Sequence, residues 1–214
     1  MTMDEFIKEI QKLINQSTQS INIRISGHGA SGKSTFTNHL ISKLEHETYN
    51  LLETDPYIID SGIRKLAYAE YVFNGQKYKE KITGCMALAH ELNSLKRDIL
   101  ALKKGMDIIT IDEPWAPRVK LNGNRQINIF EGLSLFFLDK ALFDISIVFK
   151  CDEKTEILRR LDRDVNIRGG NSDYIKSTQA LRRRQYEHFM KPLEFEFDYV
   201  IDTSNNAFTI EKSI

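Results

Sequence analysis

The spacing of apolar residues along this chain of 214 residues follows two different periods. Apolar side chains three and four positions apart predict helices, whereas Ile21, Ile23 and Ile25 alternate with polar residues as in a strand. Helices are predicted over 4–16, from the turn after 32 to about 44, and over 91–104, 153–165 and 172–190. Strands are predicted over 21–25, 50–54, 107–111, 127–130, 145–149 and 199–202. Because strands alternate with helices, we expect an α/β fold with a mainly parallel sheet.

Parts of the pattern lead to more specific expectations. Thr2 and Glu5 have the spacing of a capping box at the start of the first helix. Asp152 is expected to cap a helix whose buried stripe consists of apolar residues, namely Ile157, Leu158, Leu161 and Val165. The stretch 58–83 mixes tyrosines with charges and has no clear period, and the tail after Asp202 is expected to be peripheral.

Composition narrows the classes of function. The chain has 41% hydrophobic and 28% charged residues, and its 30 Lys+Arg balance its 30 Asp+Glu. This zero net charge argues against a dedicated nucleic-acid binder, which usually has an overall basic excess. The chain has no apolar run of about 18 residues and no signal-peptide pattern, so we expect one cytoplasmic domain over 1–214 without a membrane partner. The sequence is compatible with a homo-oligomer.

The most specific pattern is the segment Gly27–Ser34, which reads G-x-x-x-x-G-K-S between a predicted strand and a predicted helix. Glycines allow the chain to curl so that backbone N–H groups point at phosphate oxygens, and the following helix adds its partial positive charge. Lys33 is expected to reach the β- and γ-phosphates of ATP or GTP, and Ser34 to ligate Mg²⁺. His28 is expected to be incidental rather than catalytic. The predicted nucleotide-binding residues are Gly27, His28, Gly29, Ala30, Ser31, Gly32, Lys33, Ser34 and Thr35.

Acidic residues follow several predicted strands, at the ends where ligands collect in a parallel sheet. Asp55 could accept a proton from an attacking hydroxyl or hold magnesium, and a turn aspartate before proline is the alternative. Glu131 could hold Mg²⁺, although a glutamate at a helix N-terminus would have the same sequence context. Asp112 and Glu113 are secondary candidates.

Although the net charge of the chain is zero, one segment is basic. From 159 to 191 the chain has nine Lys+Arg and four Asp+Glu, a local balance of +5. Arg159 and Arg163 lie about one helical turn apart and Arg168 precedes two glycines, so this segment is predicted to form a small lid, about 159–172, over the phosphates. A solvated helix face with i,i+4 ion pairs is the alternative.

In combination, these motifs resemble the uridine kinase and phosphoribulokinase family of P-loop kinases. The resemblance rests on the phosphate loop, on Phe130-Glu131-Gly132 after a strand, and on R-R-x-x-R-D over 159–164 with Arg168-Gly169 behind it. The segments 54–57, 143–152, 186–192 and 198–201 are similar to further family motifs in the same order. The resemblance implies a P-loop NTPase-type parallel sheet flanked by helices, and a kinase that transfers the γ-phosphate of ATP to a hydroxyl of a small molecule.

The same resemblance implies roles for individual residues. Asp55 would be the catalytic base, and Ser34 and Glu131 would help to hold Mg²⁺. The residues that would stabilise the transferring phosphoryl group are Lys33 and the lid arginines Arg159, Arg163 and Arg168.

The acceptor implied by the resemblance is a nucleoside such as uridine, with Tyr57, His90 and Arg118 as candidate binding residues. The segments 112–118 and 168–170 depart from the family's pattern. The alternatives are therefore another hydroxylated metabolite, such as pantothenate, a sugar phosphate or a vitamin riboside, or a nucleotide-binding regulator without an acceptor.

Overall fold

The computed structural model of the chain describes residues 1–167 and 169–213. Its helices are α1 (Met3–Gln16), α2 (Lys33–Ile41), α3 (Ser61–Arg64), α4 (Leu92–Lys103), α5 (Glu153–Arg160) and α6 (Ser172–Gln185). Its strands are β1 (Ile21–Gly27), β2 (Tyr49–Glu53), β3 (Tyr68–Phe73), β4 (Gln76–Lys81), β5 (Ile108–Ile109), β6 (Lys120–Leu121), β7 (Ile127–Glu131), β8 (Ile145–Lys150), β9 (Tyr199–Asp202) and β10 (Thr209–Lys212). The π-helical segments Leu161–Ile167 and Tyr186–Met190 continue α5 and α6. Most predicted elements are confirmed, including the capping box of Thr2 and Glu5.

The main sheet has the strand order β10-β9-β8-β1-β7-β2, and its neighbours are parallel except for β10 and β9. The pairing of β1 with β7 sets Ile25 opposite Glu131. The pairing of β7 with β2 sets Glu131 opposite Glu53. The carboxyl ends of these strands therefore meet at one edge of the sheet, where the predicted phosphate loop and acids lie.

Helices cover both faces of this sheet and confirm the predicted α/β fold. On one face α1 and α2 bury Phe6, Ile10 and Phe36 completely. On the other face α4 contributes Leu95 and Ile99 to a second apolar cluster. No helix within residues 1–167 and 169–213 combines the length and the apolar character that crossing a membrane requires.

The polar positions of β1 are buried together with the apolar ones. Arg24 is completely buried, and its guanidinium donates hydrogen bonds to the carbonyl oxygens of Leu135 (3.3 Å), Leu138 (3.0 Å) and Glu196 (3.3 Å). The same group lies over the ring of Phe197, 3.9 Å from its centre. Burial lowers the pKa of Arg24 to about 10, so the side chain keeps its charge at neutral pH. Arg24 thereby ties the central strand to two loops that lie over the sheet.

The stretch 58–83 contains α3 and an antiparallel hairpin of β3 and β4. Its turn, Asn74-Gly75, has φ values of +50° and +77°, a conformation that asparagine and glycine tolerate well. An Asn-Gly pair between two strand-length segments is a hairpin signal that apolar periodicity alone misses. In β3, partly buried residues alternate with exposed ones, whereas β4 is mostly polar.

The predicted strand over 107–111 is shorter than expected and does not join the main sheet. β5 pairs with β6 in a separate two-stranded sheet, and Ile109 is 65% exposed. A short apolar run has the same sequence pattern in a core strand and in a peripheral one, so periodicity could not separate the two.

The buried stripe predicted for the helix after Asp152 is wrong, although Asp152 does cap α5. Leu158 is 58% exposed, and the buried residues of α5 are Thr155, Glu156 and Arg160. The polar side packs inward because it faces the phosphate loop, where charged side chains find partners. Arg160 donates to Glu156 at 2.8 Å.

The expectation of a peripheral tail is also wrong. β10 extends the main sheet by pairing with β9. Just before it, Phe208 packs against the rings of Phe6 and Phe149, with ring centres 5.9 and 6.3 Å apart. The tail therefore completes one face of the core.

We expect Arg24→Met to lower the free energy of unfolding by at least about 2 kcal/mol, because buried carbonyl oxygens would lose their donors. Urea denaturation followed by circular dichroism measures this change. As a control, Lys176→Met removes a charge from an exposed position of α6 and should stay within about 0.5 kcal/mol of the unmodified chain. Equal stability losses in the two variants would contradict the role given to Arg24.

Candidate active site

The phosphate loop connects the end of β1 to the start of α2. Gly32 caps α2 with φ +97°, a left-handed conformation that favours glycine. Gly29 lies directly under the guanidinium of Arg160, where a Cβ atom would overlap that group. The loop therefore needs glycine at Gly32 for its backbone conformation, and a side chain at Gly29 would have to displace the Arg160 guanidinium.

Glu131 faces the first turn of α2. Its carboxylate lies 3.5 Å from Lys33 Nζ and accepts a hydrogen bond from Ser34 Oγ at 3.3 Å. Burial raises the pKa of Glu131, the charge of Lys33 opposes this rise, and the carboxylates of Asp55 and Glu53 add to it. A hydroxyl beside mutually repelling carboxylates is a donor set that suits a hard divalent cation. The residues present thus fit Mg²⁺.

Asp55 begins a short 3-10 turn, Asp55–Tyr57, directly after β2. The backbone N–H of Thr54 donates to the carbonyl of Glu131 at 2.8 Å, so the ends of β2 and β7 are tied together. The Asp55 side chain is exposed and lines the same cleft as Lys33 and Ser34. A carboxylate in this position is accessible to a substrate hydroxyl, as a general base must be.

His28 is buried in the loop and has a structural role. Its Nε2 accepts a hydrogen bond from the backbone N–H of Cys151 at 3.1 Å, and its ring packs on Tyr186. Burial lowers the pKa of His28 to about 4, so the ring is neutral at physiological pH. His28 thereby fastens the phosphate loop to the end of β8. The expectation that His28 is incidental to chemistry agrees with this arrangement.

The arginines of the predicted lid have different partners. Arg159 donates to the Thr203 hydroxyl and carbonyl, both at 2.8 Å, and to Asn206 at 3.2 Å, which holds it against the segment after β9. Arg163 donates to Asp164 at 2.7 Å. Arg168 lies outside the described residues.

The phosphate loop lies between two clefts. The first cleft is bounded by Asp55, α3, the end of β4 and α6. The second cleft is bounded by Arg159 and by the segment 203–208. The residues that line both clefts are Lys33, Ser34 and Arg163. A group bound at these residues is therefore reachable from either side.

The three predicted acceptor-binding residues are placed outside the lining of the first cleft. Tyr57 is 1% exposed and donates a hydrogen bond to Asp98 at 2.6 Å. His90 is buried between Ser134 Oγ and the Gly84 carbonyl oxygen, both 2.8 Å away. Arg118 is exposed and pairs with Asp112 at 2.8 Å. Tyr57 and His90 satisfy their polar groups within the scaffold, and Arg118 pairs with an aspartate away from the cleft, so the structure does not bring these three residues to the first cleft as expected.

Sequence reasoning missed several cations that do line the first cleft: Arg64, Lys65, Lys81 and Arg182. The first three lie in the stretch without apolar period, where no motif marked them. Arg182 belongs to a run of three arginines whose side chains diverge: Arg183 pairs with Glu187 at 3.1 Å and Arg184 with Glu80 at 2.5 Å. Helical geometry predicts this divergence, but it does not tell which of the three faces a cleft.

The chain is similar to known kinases over most of its length. A family model described as the phosphoribulokinase/uridine kinase family matches residues 22–209. A uridine kinase of Staphylococcus aureus (strain JH9) is 27% identical over 187 residues, which cover 84% of this chain and 86% of the relative.

Solved structures share the fold. A D-glycerate 3-kinase from Cryptococcus neoformans var. grubii superposes with a TM-score of 0.68 at 10% identity, covering 98% of both chains. A phosphoribulokinase from Rhodobacter spheroides superposes with a TM-score of 0.62 at 16% identity, covering 87% of this chain and 71% of that one.

The buried histidines His28 and His90 should make stability fall as the solution becomes acidic. Burial lowers the pKa of each to about 4, whereas an unfolded histidine titrates near 6.5. Between pH 7 and 5 the unfolded chain gains protons that the folded chain does not, so we expect a loss of about 2 kcal/mol for each histidine.

Urea denaturation at pH 7, 6 and 5 measures this dependence. His90→Gln should remove about half of it, because one of the two histidines no longer titrates on unfolding. A free energy of unfolding that is equal at pH 7 and 5 would contradict the buried, neutral state of both rings.

Proposed function

Since this chain belongs to the phosphoribulokinase/uridine kinase family and is a small-molecule kinase, we propose that it transfers the γ-phosphate of ATP to a substrate hydroxyl in the first cleft. The observation that carries this proposal is that Lys33, Ser34 and Arg163 line both clefts. A nucleotide in the second cleft and an alcohol in the first would then meet at the phosphate loop. The same kinase assay, run with GTP in place of ATP, shows which nucleotide donates the phosphate.

Asp55 is the proposed general base. Its exposed carboxylate at the edge of the first cleft would accept the proton of the attacking hydroxyl as the new O–P bond forms, the bond from the γ-phosphorus to the β-phosphate oxygen breaks and ADP leaves. Lys33 and Arg163 would stabilise the negative charge of the transferring group, because cations fixed in advance cost no reorganisation at the moment of transfer. Ser34 and Glu131 would hold Mg²⁺, which supplies charge neutralisation between the β- and γ-phosphates when bound.

The segment of about 159–172 is the proposed lid of a single domain over 1–214. Arg159 and Arg163 lie on the border of the second cleft, where a nucleotide would contact them. Their fixed positions beside the phosphate loop support a role in covering the phosphates and excluding water.

A nucleoside such as uridine stays the acceptor predicted from the sequence resemblance. A regulator that binds nucleotide without an acceptor would have no use for the first cleft, which has an accessible carboxylate beside the phosphate loop. The acceptor cleft thus favours the kinase.

Release of ADP over a panel of alcohols tests the proposal, with mass spectrometry of the phosphorylated product as confirmation. We expect acceptor-dependent release that requires Mg²⁺. Binding of ATP without acceptor-dependent ADP release from any alcohol would favour the regulator instead.

We expect Asp55→Asn to lower kcat about 100-fold or more, the scale of losing a general base, while ATP still binds. Asp112→Asn is the matched control, because this aspartate is exposed and pairs with Arg118 away from the clefts. Steady-state kinetics and calorimetric titration with ATP measure the two effects. Near-normal turnover of Asp55→Asn would remove this residue from the role.

A further inference from the structure

The first cleft has an unequal charge balance. Four cations line the part of it formed by α3, β4 and α6, and we name them the outer cations: Arg64, Lys65, Lys81 and Arg182. The cations nearer the phosphate loop, by contrast, have carboxylate partners, as in the pairs Lys33–Glu131 and Arg160–Glu156. Among the described residues, no carboxylate lies within ion-pairing distance of an outer cation.

Two of the outer cations, Lys81 and Arg182, act on one phenol, that of Tyr174. Lys81 Nζ donates a hydrogen bond to the Tyr174 hydroxyl at 3.2 Å, and its charge lies over the Tyr174 ring. The hydrogen bond from Lys81 lowers the pKa of Tyr174, and the charge of Arg182 acts in the same direction. The lowered pKa of Tyr174 therefore indicates a positive electrostatic potential in this part of the cleft.

Arg64 is held in a way that leaves donors for a ligand, and Arg182 is partly buried. Arg64 donates its Nε–H to the carbonyl of Ile59 at 2.6 Å, which orients the guanidinium and leaves its terminal N–H groups for other acceptors. Burial lowers the pKa of Arg182, and the charge of Arg160 lowers it further. Arg160 has Glu156 as its partner, whereas Arg182 has no carboxylate within ion-pairing distance among the residues that the structure describes, so a bound anion would offset the cost of burying the Arg182 charge.

The carboxylates that line the first cleft in the described ranges do not supply this anion. Asp55 is the proposed base, and Glu156 is already engaged with Arg160 at 2.8 Å and Arg183 at 3.7 Å. A neutral acceptor such as a nucleoside would leave the outer cations unpaired when it fills the cleft. Desolvating unpaired charges is unfavourable, so the cleft is better matched to an acceptor that brings its own negative charge.

We propose that the acceptor is an alcohol that carries an anionic group, a carboxylate or a phosphate monoester, and that the outer cations bind this group while Asp55 addresses the hydroxyl. This inference rests on the proposed function, because it names the substrate class of the same cleft. It departs from the nucleoside predicted by the sequence resemblance. Carboxylate and phosphate share the oxygens that a guanidinium fork recognises, and the experiment separates them.

Matched sets of alcohols test the inference directly. The first set is glycerol, D-glycerate and glycerol 3-phosphate, the second is ribose, ribonate and ribose 5-phosphate, and uridine is the neutral nucleoside reference. We expect ADP release with at least one anionic member and at least about tenfold lower kcat/KM for its neutral twin, as the loss of a charge-assisted hydrogen bond predicts. Whether the carboxylate or the phosphate member reacts decides between the two groups.

Variants locate the anion site. Arg182→Gln and Arg64→Gln should each raise the KM for the anionic acceptor about tenfold or more, with kcat and the KM for ATP nearly unchanged. Lys176→Gln is the matched control, because it removes the same charge from an exposed position of α6. A second readout does not need turnover: inorganic phosphate should bind to protein saturated with the ATP analogue AMP-PNP, and Arg182→Gln should weaken that binding.

The outcomes separate this inference from the proposed function. Suppose that a neutral compound (uridine, glycerol or ribose) reacts faster than all of the anionic alcohols, and that Asp55→Asn abolishes this reaction. The proposed kinase activity is then supported, and the proposal of an anionic acceptor is overturned. Equal phosphate affinity in Arg182→Gln and Lys176→Gln would overturn it as well. If no alcohol of either kind is phosphorylated, the proposed function fails, and the inference fails with it.

Discussion

The parallel pairing of β1, β7 and β2 is the constraint on which the candidate site depends. The register of β1 with β7 brings Glu131 next to the phosphate loop, where Lys33 and Ser34 contact it. The hydrogen bond from the Thr54 N–H to the Glu131 carbonyl then carries the end of β2, and with it Asp55, to the same edge. A shift of one residue in either pairing would turn these side chains to the other face of the sheet. The chemistry proposed for the cleft thus follows from backbone pairing.

Charged side chains are concentrated around the phosphate loop even though the net charge of the chain is zero. α5 turns its charged side inward, with Arg160 over Gly29 and Glu156 between Arg160 and His28. The formal charge of zero is therefore distributed unevenly, with paired charges at the phosphate loop and unpaired cations across the first cleft. A polyanionic ligand needs a few fixed cations at short range, and the total charge of the chain says little about their position.

Local sequence patterns correctly predicted the features that depend only on residues close together in the sequence. The capping box at Thr2, the glycine-rich loop before Lys33 and the acid at the end of β7 each need residues only a few positions apart, so one sequence suffices to find them. The predictions failed where distant segments decide. Leu158 lies exposed because the phosphate loop attracts the polar side of α5, and the hairpin of β3 and β4 has little apolar period because most of it faces solvent.

The sequence by itself determined the α/β class, the phosphate loop, the family and the candidate catalytic acids, because these follow from short motifs and from the order of the elements. Only the tertiary structure decided which side chains line the first cleft. Tyr57 and His90 satisfy their polar groups inside the scaffold, whereas Arg64 and Arg182, more than a hundred residues apart, face the same space. The physical reason is that a substrate pocket is assembled from separate elements, and their relative positions are set by packing rather than by any local pattern.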